Sequence, residues 1–235
     1  MEKKKPLKLW REEEKPREKL IKKGEHNLTD TELLAILIRS GTKGQTAIDL
    51  ARKIIDKFGS FRNMSHTSLN SFKEIKGLGI AKICQIKTAI EIGRRMAETE
   101  LIKREKPLTS PEEVVKYIMP RMRDLKKEVF KVIHLDSKNR PVEIKEIEEG
   151  TVNQANPIIR EIFYHAIENF IPSIICLHNH PSGDPTPSKE DIEFTKRLME
   201  GGKILGINVL DHIIIGDNLY YSFASGKVNS INQIL

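Results

Sequence analysis

The stretch from Cys176 to Arg197 (CLHNHPSGDPTPSKEDIEFTKR) constrains this chain more than any other. An apolar, β-branched run ends in two histidines, a loop rich in proline and glycine follows, and a helical pattern begins after it. Side chains two apart on a strand share a face, so His178 and His180 offer ring nitrogens to one point while Asn179 faces the other way. Ser188 stands as the N-cap of the following helix and Asp191 as its third residue. That spacing holds the carboxylate at the helix start, facing back across the loop.

Two neutral imidazoles and one carboxylate leave the fourth tetrahedral position open, which is the donor set of a catalytic rather than a structural zinc. One Zn2+ per chain is expected, with His178, His180 and Asp191 as its ligands. An open position points to hydrolysis, which also needs a carboxylate to move protons and a donor to support an oxyanion. Ser188 is the candidate donor. His212 lies between apolar neighbours and reads as a hydrogen-bonded core residue.

The pattern His-x-His, seven residues, Ser-x-x-Asp resembles the JAMM (MPN+) metalloprotease signature. HNHPSGDPTPSKEDI, the upstream EGTVNQANPIIREIF, the downstream LDHIIIGD and PREKL at Pro16 to Leu20 together resemble the bacterial RadC family, over nearly the whole chain. The resemblance implies a zinc hydrolase of peptide or isopeptide bonds and places its general acid/base glutamate at Glu128. Glu143, Glu146, Glu148, Glu149 and Glu161 also precede the histidines, and sequence distance does not choose among them. Members of the family often carry His-Pro just before Arg-Glu, whereas Ile158 and Ile159 stand here. The letters His-Asn-His carry no weight for an HNH nuclease, whose residues are dispersed through a different unit.

Up to about residue 105 apolar residues recur at helical spacing, as in Thr29 to Arg39 and Ala47 to Phe58, with glycines between the helices. Lys103 to Glu113 is polar with two prolines and reads as a linker, which divides the chain into residues 1–106 and 107–235. Ser110, Pro111 and Glu113 follow as N-cap, first-turn proline and capping-box acid. Beyond them come probable strands at Val129 to Leu135, Val142 to Ile147, Ser173 to Leu177 and Val209 to Ile215, with helices at Pro157 to Asn169 and Lys189 to Glu200. This order predicts an α+β (α/β-like) domain with a mixed sheet, preceded by an all-α domain.

Charge follows the same division. Through Lys106 there are 25 Lys and Arg against 15 Asp and Glu, a net +10, and the remainder is −3. A basic domain joined to a near-neutral one suggests a polyanion partner for the first. Leu69 to Arg95 resembles a helix-hairpin-helix motif in which Lys76, Gly77, Gly79 and Lys82 would meet DNA phosphates without regard to sequence. Leu28 to Ile54 has a similar outline. Plain helix packing is the competing explanation of both.

No apolar run approaches the roughly 18 residues a membrane span needs, so a cytoplasmic protein is expected. Cys84 and Cys176 form no CxxC pair and are expected to be reduced core thiols. A zinc hydrolase brought to DNA is the leading reading. The alternative is a DNA-associated repair or recombination protein that acts on nucleic acid or uses its metal structurally. Oligomeric state is left open.

Overall fold

The computed structural model describes residue 11 and residues 15–147 and 159–231. They divide into two compact units at Gly93/Arg94.

In the first unit, α1 (Pro16–Lys23), α2 (Asp30–Ile38), α3 (Ala47–Phe58), α4 (Phe61–His66) and α5 (Leu69–Lys73) lead into α6 (Ile80–Ile102). Helix α2 starts with a reciprocal capping box between Thr29 and Glu32, and α3 with another between Thr46 and Asp49. Their apolar faces bury Leu34, Ile38, Leu50 and Ile54 against Phe72, Ile83 and Ile86. Cys84 is exposed, contrary to expectation, because it falls between the inward positions Ile83 and Ile86 of α6.

The division falls inside α6, not in the polar segment after it. Leu101, just before that segment, and Leu108, within it, are both buried in the core of the second unit. The Leu108 N–H bonds the Asn139 carbonyl at 2.9 Å. A stretch that reads as a linker by polarity is thus anchored by Leu108 within it and Leu101 before it. Helix α7 (Pro111–Met122) begins at Ser110 as expected, but Ser110 makes no side-chain cap. Glu113 instead accepts the Thr109 N–H at 2.8 Å.

The second unit is built on a mixed six-stranded sheet in the order β2-β1-β3-β4-β5-β6. Its strands are β1 (Phe130–Leu135), β2 (Pro141–Ile147), β3 (Ser173–Asn179), β4 (Asn208–Ile215), β5 (Leu219–Ser222) and β6 (Lys227–Ser230). Only the β3–β4 pair is parallel. That crossover runs through α9 (Lys189–Leu205), and α8 (Ile159–Glu168) precedes β3. Ile133, Ile175, Leu177 and Ile213 face α7, whereas Phe130, Val132, Ile174 and Cys176 face α8 and α9. The fold is therefore α+β, with helices on both faces of the sheet. No described helix is long and apolar enough to cross a membrane.

Candidate metal centre

Strand β3 delivers His178 at its penultimate position, and the His180 N–H continues the ladder by bonding the Ile215 carbonyl at 3.0 Å. Both histidines project toward α9, where Asp191 is the third residue. The three ligand atoms converge. His178 Nε2 lies 3.1 Å from His180 Nε2 and 3.3 Å from Asp191 Oδ1, and His180 Nε2 lies 3.4 Å from Asp191 Oδ2. Four ligands at about 2.0–2.1 Å around a tetrahedral zinc would stand roughly 3.3–3.4 Å apart. The donor set has both the spacing and the chemistry for that ion, and among the described residues it is the one such cluster.

The outer atoms of two of these side chains are already committed. Asp191 Oδ2 accepts the Ser188 N–H at 2.8 Å and its hydroxyl at 2.7 Å, while Ser188 Oγ accepts the Asp191 N–H at 3.1 Å. Burial would raise the Asp191 carboxyl, but the neighbouring His178 and His180 rings and the bonds from Ser188 outweigh it and hold the group well below the usual carboxylate range. His180 Nδ1 lies 2.8 Å from the Asp184 carbonyl, which only accepts, so the ring proton sits on Nδ1 and the Nε2 lone pair points at the cluster. The carboxylate of Asp191 pushes the His180 pKa up, as expected of a base facing an anion. A cation between these groups would satisfy the nitrogen lone pairs and the carboxylate together.

The loop that carries Asp184 is fixed from the far side. Gly183 adopts φ +86°, its N–H bonds the His180 carbonyl at 3.0 Å, and its own carbonyl receives the Asp217 N–H at 2.8 Å. Gly216 lies so close that a Cβ there would stand 2.3 Å from the Gly183 carbonyl oxygen.

Behind His178 lies His212. Its Nε2 is 2.8 Å from His178 Nδ1, and the ring is fully buried and stacked on Phe223 at 5.2 Å. Burial pushes its pKa well below the ordinary value, so it is neutral. The expectation of a hydrogen-bonded core histidine holds, but the partner is a member of the cluster. Nothing in a lone histidine between apolar residues announces that.

Glu128 sits just before β1, which pairs with β3 so that Phe130 faces His178. Carried two residues beyond the end of the ladder, that register would set Glu128 opposite His180, and the Glu128 charge contributes to raising the His180 pKa. Asn179, fully buried on the other side of β3, ties down this segment. Its Oδ1 accepts the Val129 N–H at 2.8 Å and its Nδ2 donates to the Lys127 carbonyl at 3.1 Å. Sequence reasoning gave Asn179 no role; only the strand pairing reveals it as the clamp on Glu128.

Residues 108–228 match the RadC-like JAB domain family and residues 7–84 the UPF0758 N-terminal family. The chain belongs to the RadC-like JAB-domain family. A UPF0758 protein of Trichlorobacter lovleyi is 46% identical over 220 residues, covering 92% of this chain and 95% of that protein. One from Caldanaerobacter subterraneus is 48% identical over 206 residues, covering 87% and 88%, and one from Bacillus cereus 46% over 210, covering 89% and 93%.

Among the described residues of the RadC-like domain, the other candidate acids have different surroundings. Glu146 pairs with Lys131 at 3.0 Å, Glu143 with Lys145 at 2.9 Å, and Glu161 lines a 350 Å³ cavity with Tyr164 and His165. Glu148, Glu149 and Ile158 lie outside the described residues. Ser188 holds Asp191 through both its N–H and its hydroxyl, so its hydroxyl proton is directed at the carboxylate.

In the first unit, the expected nucleic-acid residues differ among themselves. Lys76 and Gly79 are exposed, and nothing stands within 4 Å of a Cβ on Gly79. Gly77 at φ +96° packs on the second Gly-containing loop, where a Cβ would meet Thr42 Cγ2 at 2.5 Å. Lys82 Nζ donates to the Gly41 carbonyl in that same loop at 3.1 Å. The two hairpins are thus bound to each other through Gly77 and Lys82, which accounts for those residues by packing.

Proposed function

We propose that this chain is a zinc-dependent hydrolase of peptide or isopeptide bonds, carried by its RadC-like domain, with a first unit that binds DNA. The observation that supports it most is the convergence of His178 Nε2, His180 Nε2 and the Asp191 carboxylate, with the two nitrogens 3.1 Å apart and each within 3.3–3.4 Å of one carboxylate oxygen, close to the spacing around a tetrahedral ion. The carboxylate and two imidazoles would hold the zinc, which would supply Lewis acidity for activating a water and polarising the scissile carbonyl.

The rest of the work falls to the chain. Glu128, clamped by Asn179 beside His180, takes the proton of the attacking water and hands it to the departing nitrogen. Ser188 turns its hydroxyl from Asp191 Oδ2 toward the developing oxyanion, and its N–H keeps Asp191 in place at 2.8 Å. In the first unit, exposed Lys76 and the open backbone at Gly79 offer the phosphate contacts, and they carry no sequence preference.

The test is metal content of the purified protein beside His178→Ala, followed by assays on peptide, isopeptide and branched-DNA substrates. About one zinc per chain, lost in the variant, with zinc-dependent amide cleavage, is the expected result. Cleavage of DNA alone would make nucleic acid the substrate, and full activity in a metal-free variant would refute the proposal.

A further inference from the structure

We infer that Thr195 and His212 are positioning residues that dictate which nitrogen of His178 carries its proton, and so keep the Nε2 lone pair turned toward the metal centre. The inference rests on the reading of His178 as a ligand.

The argument is a count of protons along one buried chain of contacts. Thr195 Oγ1 lies 2.6 Å from the Asp191 backbone carbonyl. Two oxygens that close need a hydrogen between them, and a carbonyl has none to give, so the hydroxyl donates. Its one proton is then used. The same Oγ1 lies 2.6 Å from His212 Nδ1, and that contact must be an N–H of His212 donating to the hydroxyl. A neutral imidazole with its proton on Nδ1 has only a lone pair on Nε2. His212 Nε2 therefore accepts across the 2.8 Å contact to His178, whose proton must lie on Nδ1. What remains on His178 is the Nε2 lone pair, aimed at His180 and Asp191.

Burial makes this chain decisive, since Thr195 is 2% exposed and His212 fully buried, so water does not substitute for any partner. The ring of His212 is also held in one orientation by Phe223 on one side and by Phe130 and Phe194, 5.6 and 5.9 Å away. Strand pairing brings it there by an irregularity. The β3–β4 register slips by one residue between Ile174 and Ile175, so that Cys176 faces His212. An unbroken register would set Asp211 opposite Cys176 and turn His212 to the α7 side. Both ligand histidines thus donate their outer proton, His180 to the Asp184 carbonyl and His178 to the Thr195–His212 chain.

The experiment compares wild type, Thr195→Val and Thr195→Ser as full-length chains. Histidine ring tautomers are read by 15N-edited NMR on zinc-free protein, and zinc affinity by competition with a chelator. The wild type and Thr195→Ser should show His178 protonated on Nδ1 and bind zinc alike. In Thr195→Val, His212 Nδ1 loses its acceptor, its proton moves to Nε2, and His178 is forced to carry its own on Nε2. Zinc affinity should then fall about 10–100-fold. His178 protonated on Nε2 in the wild type, or an unchanged tautomer and affinity in Thr195→Val, would overturn the inference. A wild type that binds no zinc would sink the hydrolase reading, while the tautomer measurement would still decide this one.

Discussion

Substituting Gly216 by alanine tests whether the metal centre depends on a loop pinned from the opposite strand. The new Cβ would lie 2.3 Å from the Gly183 carbonyl oxygen and 2.8 Å from Pro185 Cδ, against ordinary contact from about 3.4 Å, so the loop must retreat by roughly 1 Å. That retreat stretches two 2.8 Å bonds beyond useful range, Asp217 N–H to Gly183 O and His180 Nδ1–H to Asp184 O. Two lost bonds at about 1 kcal/mol each, with overpacking strain of about 1–3 kcal/mol, give a destabilisation of roughly 3–5 kcal/mol. Because His180 loses its outer anchor, zinc affinity should fall about tenfold or more as well. Urea unfolding of zinc-free protein and chelator competition read the two effects separately. Gly79→Ala, which meets nothing within 4 Å, is the control and should move neither. An unchanged unfolding midpoint together with unchanged zinc affinity in Gly216→Ala would refute the pinned-loop reasoning.

The His134 ring is 1% exposed with neither nitrogen hydrogen-bonded, and burial lowers its pKa more than nearby Glu143 raises it. The unfolded chain takes up that proton near pH 6.5 and the folded chain only at lower pH, so stability should decline as pH falls below about 6.5. His134→Leu should shed part of that decline between pH 7.5 and 5.5 in urea titrations; parallel curves would count against the argument. Tyr220→Phe removes the 2.6 Å bond to Glu112 across the buried side of the sheet and should cost about 1 kcal/mol, read as a lowered urea midpoint. For the first unit, Lys76→Ala should weaken DNA binding and reduce the slope of affinity against salt by about one without altering stability. Lys82→Ala, which loses the bond to the Gly41 carbonyl, should lower the thermal midpoint instead.

What could be read from the chain was whatever depended on near neighbours. Alternation on a strand set His178 and His180 on one side, and a three-residue capping box set Asp191, because each needs only local geometry. The strands β5 and β6 were missed: four residues each, with little alternation, they exist through pairing with β4 and with each other. The compact units part at Gly93/Arg94 and not at the polar segment, because burial of Leu101 and Leu108 depends on the sheet they meet, whereas the polarity around them is visible at once. Glu128 could be suggested only by resemblance, since its approach to His180 follows from the β1–β3 register. The contribution of His212 was further out of reach, resting on a one-residue slip that no local pattern marks.

That slip has an electronic consequence. The side chain behind His178 is a neutral ring, while the neighbouring carboxylate, Asp211, is sequestered on the opposite face by the Ser222 hydroxyl at 2.6 Å and the Ala224 N–H at 2.9 Å. Had the register run unbroken, an anion would stand behind the ligand, making its imidazole more basic and cancelling one of the ion's positive charges. With the neutral ring there, a divalent ion held by the proposed ligands would face Asp191 alone and would keep more of its charge for polarising a carbonyl. One extra residue in a strand would thus choose between two strengths of Lewis acid without touching a proposed ligand.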